Sequence, residues 1–238
     1  MIPATAIYRS KVILPIYSKS LTVARAICSL VDEGFPAEAF AMSRTLVDIY
    51  FCVRYMSNKD TESPITTYVE YWAKAHEEWG NILAKHFPST KVTFPSFHNE
   101  LMNIAKKYKS KHLWTGHGGQ AKLMALEEDT RELDEHGKPF KSEFDYDVIY
   151  FWTSQFVHVT ILALDGHASR PGEVFKVRAR QHAEDGRGKD ALFNVLVFLS
   201  KIFICGSRIM REDQPEKILL DMQKLMKSYA KRKKRILP

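Results

Sequence analysis

An all-α fold, a multi-helix bundle, is the class this sequence predicts, and three observations carry it. Long segments place apolar residues at helical spacing, most prolines and glycines fall in the breaks between those segments, and no stretch alternates strands with helices. At 238 residues with 45% hydrophobic and 12% aromatic content, the chain can bury a sizeable core. Residues 1–226 read as a single helical domain and residues 227–238 as a basic C-terminal tail, with no internal repeat or low-complexity linker.

The first helical pattern runs from about Ala4 to Asp32, with Pro15 expected to kink or divide it, and Gly34 stops it. Phe35-Pro36 starts a second helix with proline in its first turn, and the pattern holds through Met56 until Ser57-Asn58-Lys59-Asp60 breaks it. Ser63-Pro64 opens a third helix to about His86, in which Tyr68, Tyr71, Trp72 and Trp79 are expected to pack the core, the alternative being a stripe that stacks a base. A loop follows from Phe87 to Pro95, then a short helix near Ser96 to Tyr108. Lys109 to Gln120, with Thr115-Gly116-His117-Gly118-Gly119, reads as a loop or tight helix entry. Ala121 to Leu133 reads as a charged peripheral helix. Ser142-Glu143-Phe144-Asp145 resembles a capping box opening a buried apolar helix from Val148 to Leu164. Residues 165–189 form an irregular, basic excursion, in which Val174 to Arg180 allows a short extended piece. Asp190 to Met210 is strongly apolar and helical, and Pro215 to about Arg235 is an amphipathic helix.

Composition narrows the setting. Cys28, Cys52 and Cys205 lie far apart with no C-x-x-C pair, as expected of buried thiols in a reducing cytoplasm. Met1 to Leu30 lacks the features of a signal peptide, so secretion is not expected. The apolar stretches Val148 to Leu164 and Ala191 to Cys205 are shorter than the roughly 20 residues that cross a bilayer, and they contain His158 and Lys201, so membrane insertion is not expected. The net charge is +7. Six basic residues of the tail, including Lys231, Arg232, Lys233, Lys234 and Arg235, leave the rest of the chain close to neutral. Such a cluster binds phosphates by counterion release, or is a solvated helix end whose cations suit the C-terminal dipole. Arg170, Arg178, Arg180 and Arg187 make the 165–189 excursion basic too, as a rim of a site or an exposed loop.

Two helices carry the candidate chemistry. Tyr150, Ser154 and His158 interrupt the apolar run at helical spacing, and polar groups in such a helix need partners or a job. In the second helix Arg44 and Asp48 are four apart on one face. They are expected to meet each other or a polar group on a neighbour, His158 and Ser154 being the candidates. An aspartate against one imidazole nitrogen fixes the tautomer and raises basicity, and an arginine beside it grips phosphate or carboxylate. A polar network that fixes the register of the bundle accounts for all four residues without chemistry.

The segments Gly34 to Asp48 and Tyr150 to His158 together resemble a bacterial family of unknown function with an Arg-Ser/Thr-Leu-x-Glu helix and a later Ser-x-x-x-His helix, over most of residues 15–210. Asp48 stands where glutamate is more usual, which keeps the charge and shortens the reach. The resemblance implies a helical bundle and no established activity. The layout is also similar to HEPN domains, many of which are metal-independent ribonucleases in toxin and phage-defence systems. That likeness implies RNA or another nucleic acid as partner, a homodimer, and His158, Arg44, Asp48 and Ser154 as catalytic candidates. Those ribonucleases carry Arg-x(4–6)-His, whose arginine holds the scissile phosphate while the histidine moves protons. Arg131 and His136 fit the spacing, but so short a motif arises by chance, and acidic neighbours from Glu127 to Glu135 would repel an RNA backbone. His98, His112 and His117 match no common zinc spacing, so neither metal nor cofactor is expected. The function this sequence suggests is a defence- or toxin-type ribonuclease or nucleotide-processing enzyme. The alternative is a non-catalytic nucleic-acid-binding or oligomerising module.

Overall fold

A computed structural model describes residues 4–58, 63–88, 98–108, 114–115, 119–158, 160 and 186–211. Among them the chain is mostly α-helical, with one small two-stranded sheet. The contacts group the chain into two compact units, residues 1–58 with 124–238, and residues 59–123.

The first unit is built on α1 (Ala4–Asp32), α2 (Pro36–Ser57) and a late helix, α7 (Arg187–Met210). Helix α1 continues through Pro15, so of the kink or division expected there, the chain does not divide. The turn into α2 closes on Gly34 at φ +82, a conformation glycine adopts at no steric cost. The Gly34 and Phe35 amides donate to the carbonyls of Val31 and Leu30, which caps the end of α1, and Pro36 sits at the first helical position of α2.

Helix α2 packs against α7, α1 and α6 (Phe151–Val157). It buries Leu46, Val47, Phe51, Val53 and Met56, while α1 buries Ile13 and Ile27, and α7 buries Ala191, Phe198 and Ile202. At roughly 1.5–3 kcal/mol per large apolar side chain, this three-helix seam is the main source of the unit's stability. Polar ties fix its register: Asn194 donates to Ser43 Oγ at 3.1 Å, and the Tyr17 hydroxyl donates to the Phe203 carbonyl at 3.1 Å. By length and composition α7 is apolar enough to cross a membrane, and half of its apolar window is buried inside the protein.

The charged stretch read as a helix from Ala121 to Leu133 is only partly one. Helix α5 (Gln120–Leu126) stops early, and β1 (Asp129–Leu133) pairs antiparallel with β2 (Pro139–Phe140) around Gly137 at φ +73. The physical reason is a buried arginine that calls for backbone acceptors. Arg54 on α2 donates to the carbonyls of Met124, Glu127 and Phe140, which only a chain turning back on itself can supply. The expected capping box is absent as well. Ser142 turns its hydroxyl to Tyr50 at 2.6 Å, and Asp145 forms a two-pronged ion pair with Lys201 at 2.6 and 2.8 Å.

The second unit holds α3 (Ser63–His86) and α4 (His98–Ala105). Ala73 and Ala105 form its buried seam with Met102 and Ile104 beside them, and Glu70 accepts from Lys107 and Tyr108. Tyr68 packs edge-on to Trp114 and Tyr71 edge-on to Tyr108. Trp72 and Trp79 depart from the core expectation, each being 54% exposed. Helix α4, a third the length of α3, packs against it at Ala73.

Candidate functional site

The polar ladder does not lie in one buried helix. Residues Asp145–Tyr150 form a π-helical turn, after which α6 runs only to Val157, with His158 in extended backbone as its C-cap. Phe151, Trp152 and Val157 are exposed, so the described part of the apolar run is partly solvated where a buried helix was expected, and residues 159 and 161–164 lie outside the described residues. The wider turn carries the Phe151 amide back to the carbonyl of Tyr146. At the return to α-helix, Thr153 donates to the carbonyls of Ile149 and Tyr150, and Ser154 donates to that of Tyr150 at 2.5 Å. Ser154 thus satisfies its own helix, a role open to any hydroxyl at this spacing.

Arg44 and Tyr150 form the centre of the site. One terminal nitrogen of Arg44 donates to the Tyr150 hydroxyl at 2.6 Å, and the guanidinium carbon lies 4.5 Å from the centre of the Tyr150 ring. Nε faces the Asp48 carboxylate at 3.7 Å, beyond hydrogen-bond reach, so that contact is electrostatic. The Arg44 side chain is 22% exposed and that of Asp48 46%, which places the pair at the surface of the unit. Tyr146, four residues before Tyr150, stacks on it with ring centres 5.0 Å apart and 16° between the planes. Burial pushes the Asp48 carboxyl above the usual aspartate range, with the Arg44 charge only partly opposing. Burial also raises the Tyr150 phenol, with Asp48 adding to the effect and Arg44 opposing it.

The other candidate positions fall elsewhere. His158 is exposed, and the hydrogen bonds it makes with described residues are those of its backbone, to Ser154 and Thr160. It lies eight residues beyond Tyr150, about 12 Å along the helix axis, so Arg44 and Asp48 meet each other and Tyr150 rather than His158 or Ser154. Arg187 opens α7 with its guanidinium 4.9 Å from the Phe156 ring, which in turn meets Phe40 of α2 edge-on at 5.3 Å. Arg170, Arg178, Arg180, Lys231, Arg232, Lys233, Lys234 and Arg235 lie outside the described residues, as do the extended piece at Val174 to Arg180 and the helix after Pro215.

Arg131 and His136 belong to the hairpin. Arg131 binds the buried Asp129 at 3.1 Å and the Ser57 carbonyl, while His136 is exposed in the turn. Arg208 reaches Asp129 at 3.2 Å and also pairs with Glu132. Part of this site, a buried carboxylate with two arginines, had a signal in the sequence, namely Arg208 within the apolar pattern of α7.

Nucleophile chemistry has little support from the thiols. Burial pushes Cys52 up to about 12, with Asp48 contributing, and pushes Cys205 up to about 11, so both stay protonated at neutral pH. Cys28 and Cys52 are half-buried and Cys205 is buried. His112 and His117 lie outside the described residues, and among those described no three His, Cys, Asp or Glu side chains converge as metal ligands.

No curated protein and no solved structure matches the chain. A family match does exist, and it spans α1 through α6, including both the Arg44 helix and the Tyr150 to His158 segment. With residues 10–175 matched, the chain belongs to the family of unknown function DUF5677.

Proposed function

We propose that this protein is a binding module for a phosphate-bearing ligand of the nucleic-acid type, with Arg44 as the anion contact. The observation that carries the reading is the fixed guanidinium of Arg44. It lies on the Tyr150 ring, is tied to the Tyr150 hydroxyl, and keeps a fifth of its side chain in solvent. An arginine held this way loses little conformational freedom on gripping an anion. The stacked Tyr146 and Tyr150 rings add an aromatic platform, and the basic residues of 165–189 and of the tail supply long-range attraction.

The test is fluorescence anisotropy with a single-stranded RNA oligonucleotide at low salt. Arg44→Ala is expected to weaken binding at least tenfold, and Arg44→Lys to recover only part, because lysine lacks the planar fork. Unchanged binding in an Arg44→Ala protein that melts at lower temperature would leave the cluster as a packing device.

A second reading, a metal-independent ribonuclease of defence or toxin type with the HEPN-like layout, is favoured by one observation. His158 is exposed and therefore open to a substrate hydroxyl. On this reading His158→Ala abolishes RNA cleavage while leaving RNA affinity within about threefold. Cleavage that persists in His158→Ala would remove the mechanism.

A further inference from the structure

Helix α1 turns a cationic face to solvent. Between Met1 and Val31 the sequence holds Arg9, Lys11, Lys19 and Arg25 and no acidic residue, although the chain outside its tail is close to neutral. One side of the helix packs on α2 and α7 and buries Ile13, Val23, Ala24 and Ile27. The opposite side exposes Lys11, Ser18, Lys19 and Arg25. Lys11, Lys19 and Arg25 have no counter-ion among the described residues. Lys11, Ser18 and Arg25 follow one another at seven-residue steps, two turns each, so they form one row about 21 Å long with Lys19 beside it.

We infer that this outer face of α1 is a second contact for nucleic acid, gripping the phosphodiester backbone through Lys11, Lys19 and Arg25, with the Ser18 hydroxyl as a further donor. The inference rests on nucleic acid being the ligand, as proposed above, and does not depend on Arg44. Charge selects this partner. Like cations held along one rigid helix repel each other, and a polyanion both removes that repulsion and releases its own counterions. At about 3.4 Å of helix axis per phosphate on one strand of a duplex, a row of this length runs past about six phosphates, enough to serve all three cations. The contact is to the backbone rather than to bases. Tyr17 is the sole aromatic residue between Lys11 and Arg25, and its ring is packed on Phe203.

An anionic lipid surface fits less well. A helix lying in a membrane interface needs a broad apolar face towards the acyl chains. In α1 that face is buried against α2 and α7, and the exposed aliphatic residues Leu14 and Leu21 lie along one edge of the solvent side.

The experiment is fluorescence anisotropy of the full-length protein with oligouridine and oligoadenine RNA across a range of salt. Joint substitution by Lys11→Gln, Lys19→Gln and Arg25→Gln is expected to lower the slope of log affinity against log salt by about 2, since each phosphate contact on a single strand contributes about 0.7. Affinity for both RNAs should fall by the same factor, at least about tenfold at low salt. Footprinting of the unaltered protein gives a second measurement that no folding defect can mimic. Bound RNA should protect the Lys11 and Lys19 amines from acylation, read by mass spectrometry, whereas the exposed Lys138, beside Asp134 and Glu135, should label equally with and without RNA. An unchanged slope in the triple variant would overturn the inference, as would equal labelling of Lys11 and Lys19 in both conditions. So would phosphatidylserine vesicles that bind through these cations while RNA affinity ignores their loss. Unchanged affinity in Arg44→Ala beside a lowered slope in the triple variant would sink the Arg44 reading and leave the α1 contact standing. A wild-type protein that binds no RNA would overturn both.

Discussion

The ring of Tyr17 on α1 occupies the space where a β-carbon on Gly206 of α7 would stand. The Tyr17 hydroxyl donates to the Phe203 carbonyl at 3.1 Å and its ring lies tilted on that of Phe203 at 4.3 Å, so the tyrosine has little room to withdraw. Gly206→Ala adds one methyl at this crossing. Overpacking costs about 1–3 kcal/mol. The better helix propensity of alanine returns up to about 1 kcal/mol. The expected outcome is a net loss, read as a lower melting temperature at about 2–4 °C per kcal/mol for a chain of this size. Tyr17→Phe removes one of the crowded atoms and should therefore cost less in the Gly206→Ala protein than in the wild type. A melting temperature at or above wild type in Gly206→Ala would show that α1 and α7 do not cross this closely.

Acid stability should depend on Asp129. Its carboxylate is buried, which alone would raise its pKa, but hydrogen bonds from Arg131 and the charges of Arg131 and Arg208 hold it below the usual aspartate range. A carboxyl depressed in the folded state adds stability above its unfolded pKa of about 3.9, and that stability is lost as pH falls through the folded value. Asp129→Asn leaves two arginines facing a neutral amide, and at neutral pH it should cost about 3–5 kcal/mol, the penalty of breaking a buried pair. The difference from wild type should shrink below about pH 4, where the unfolded chain takes up a proton that the folded carboxylate still resists. A gap of constant size from pH 7 to pH 3 in denaturant melts would contradict this account.

Much of the fold is legible in the sequence because its helices end on local signals. Gly34 and Pro36 bracket the first turn, and α3 begins and ends at Ser63 and His86 as its periodicity implies. The hairpin at Asp129–Phe140 is not legible, since what bends the chain there is Arg54, some 70–90 residues earlier, asking for three carbonyls. The π-helical turn is hidden for a similar reason. Its register is tied to Lys201 through Asp145 and to Arg44 through Tyr150, both of them long-range contacts. At the site, the pairing of Arg44 with Asp48 follows from four-residue spacing. The partner Tyr150 belonged to the ladder, yet the wider turn and the early end of α6 send Ser154 to its own backbone and His158 to solvent.

Asp48 should behave in the opposite sense to Asp129. Its folded pKa is raised, chiefly by burial and against the pull of Arg44, so its contribution is favourable below the unfolded pKa and is lost as pH rises through the folded value. Asp48→Asn removes a carboxylate that the folded state disfavours, and at pH 7 it is expected to be neutral to stabilising. Because almost half of the side chain is in solvent, the gain should stay under about 1 kcal/mol, and it should vanish below about pH 3.9. If Asp48→Asn instead lowers the melting temperature at pH 7 by several degrees, the ion pair with Arg44 holds α2 in place more strongly than its 3.7 Å separation implies.

The salt dependence of nucleic-acid binding separates the tail from Arg44. Residues 227–238 carry six basic side chains and no acidic one. On a single strand each neutralised phosphate contributes about 0.7 to the slope of log affinity against log salt. If the tail makes between half and all of the contacts its charges allow, deleting residues 227–238 should lower that slope by about 2–4 and weaken binding most at low salt. Arg44→Gln removes a single charge, so its slope should change by less than about 1 while affinity falls at every salt concentration. If the tail and Arg44 engage separate phosphates, the two effects should add in the doubly altered protein. A slope that survives truncation unchanged would exclude the tail as an anchor, and the phosphate contacts would then have to come from residues 1–226.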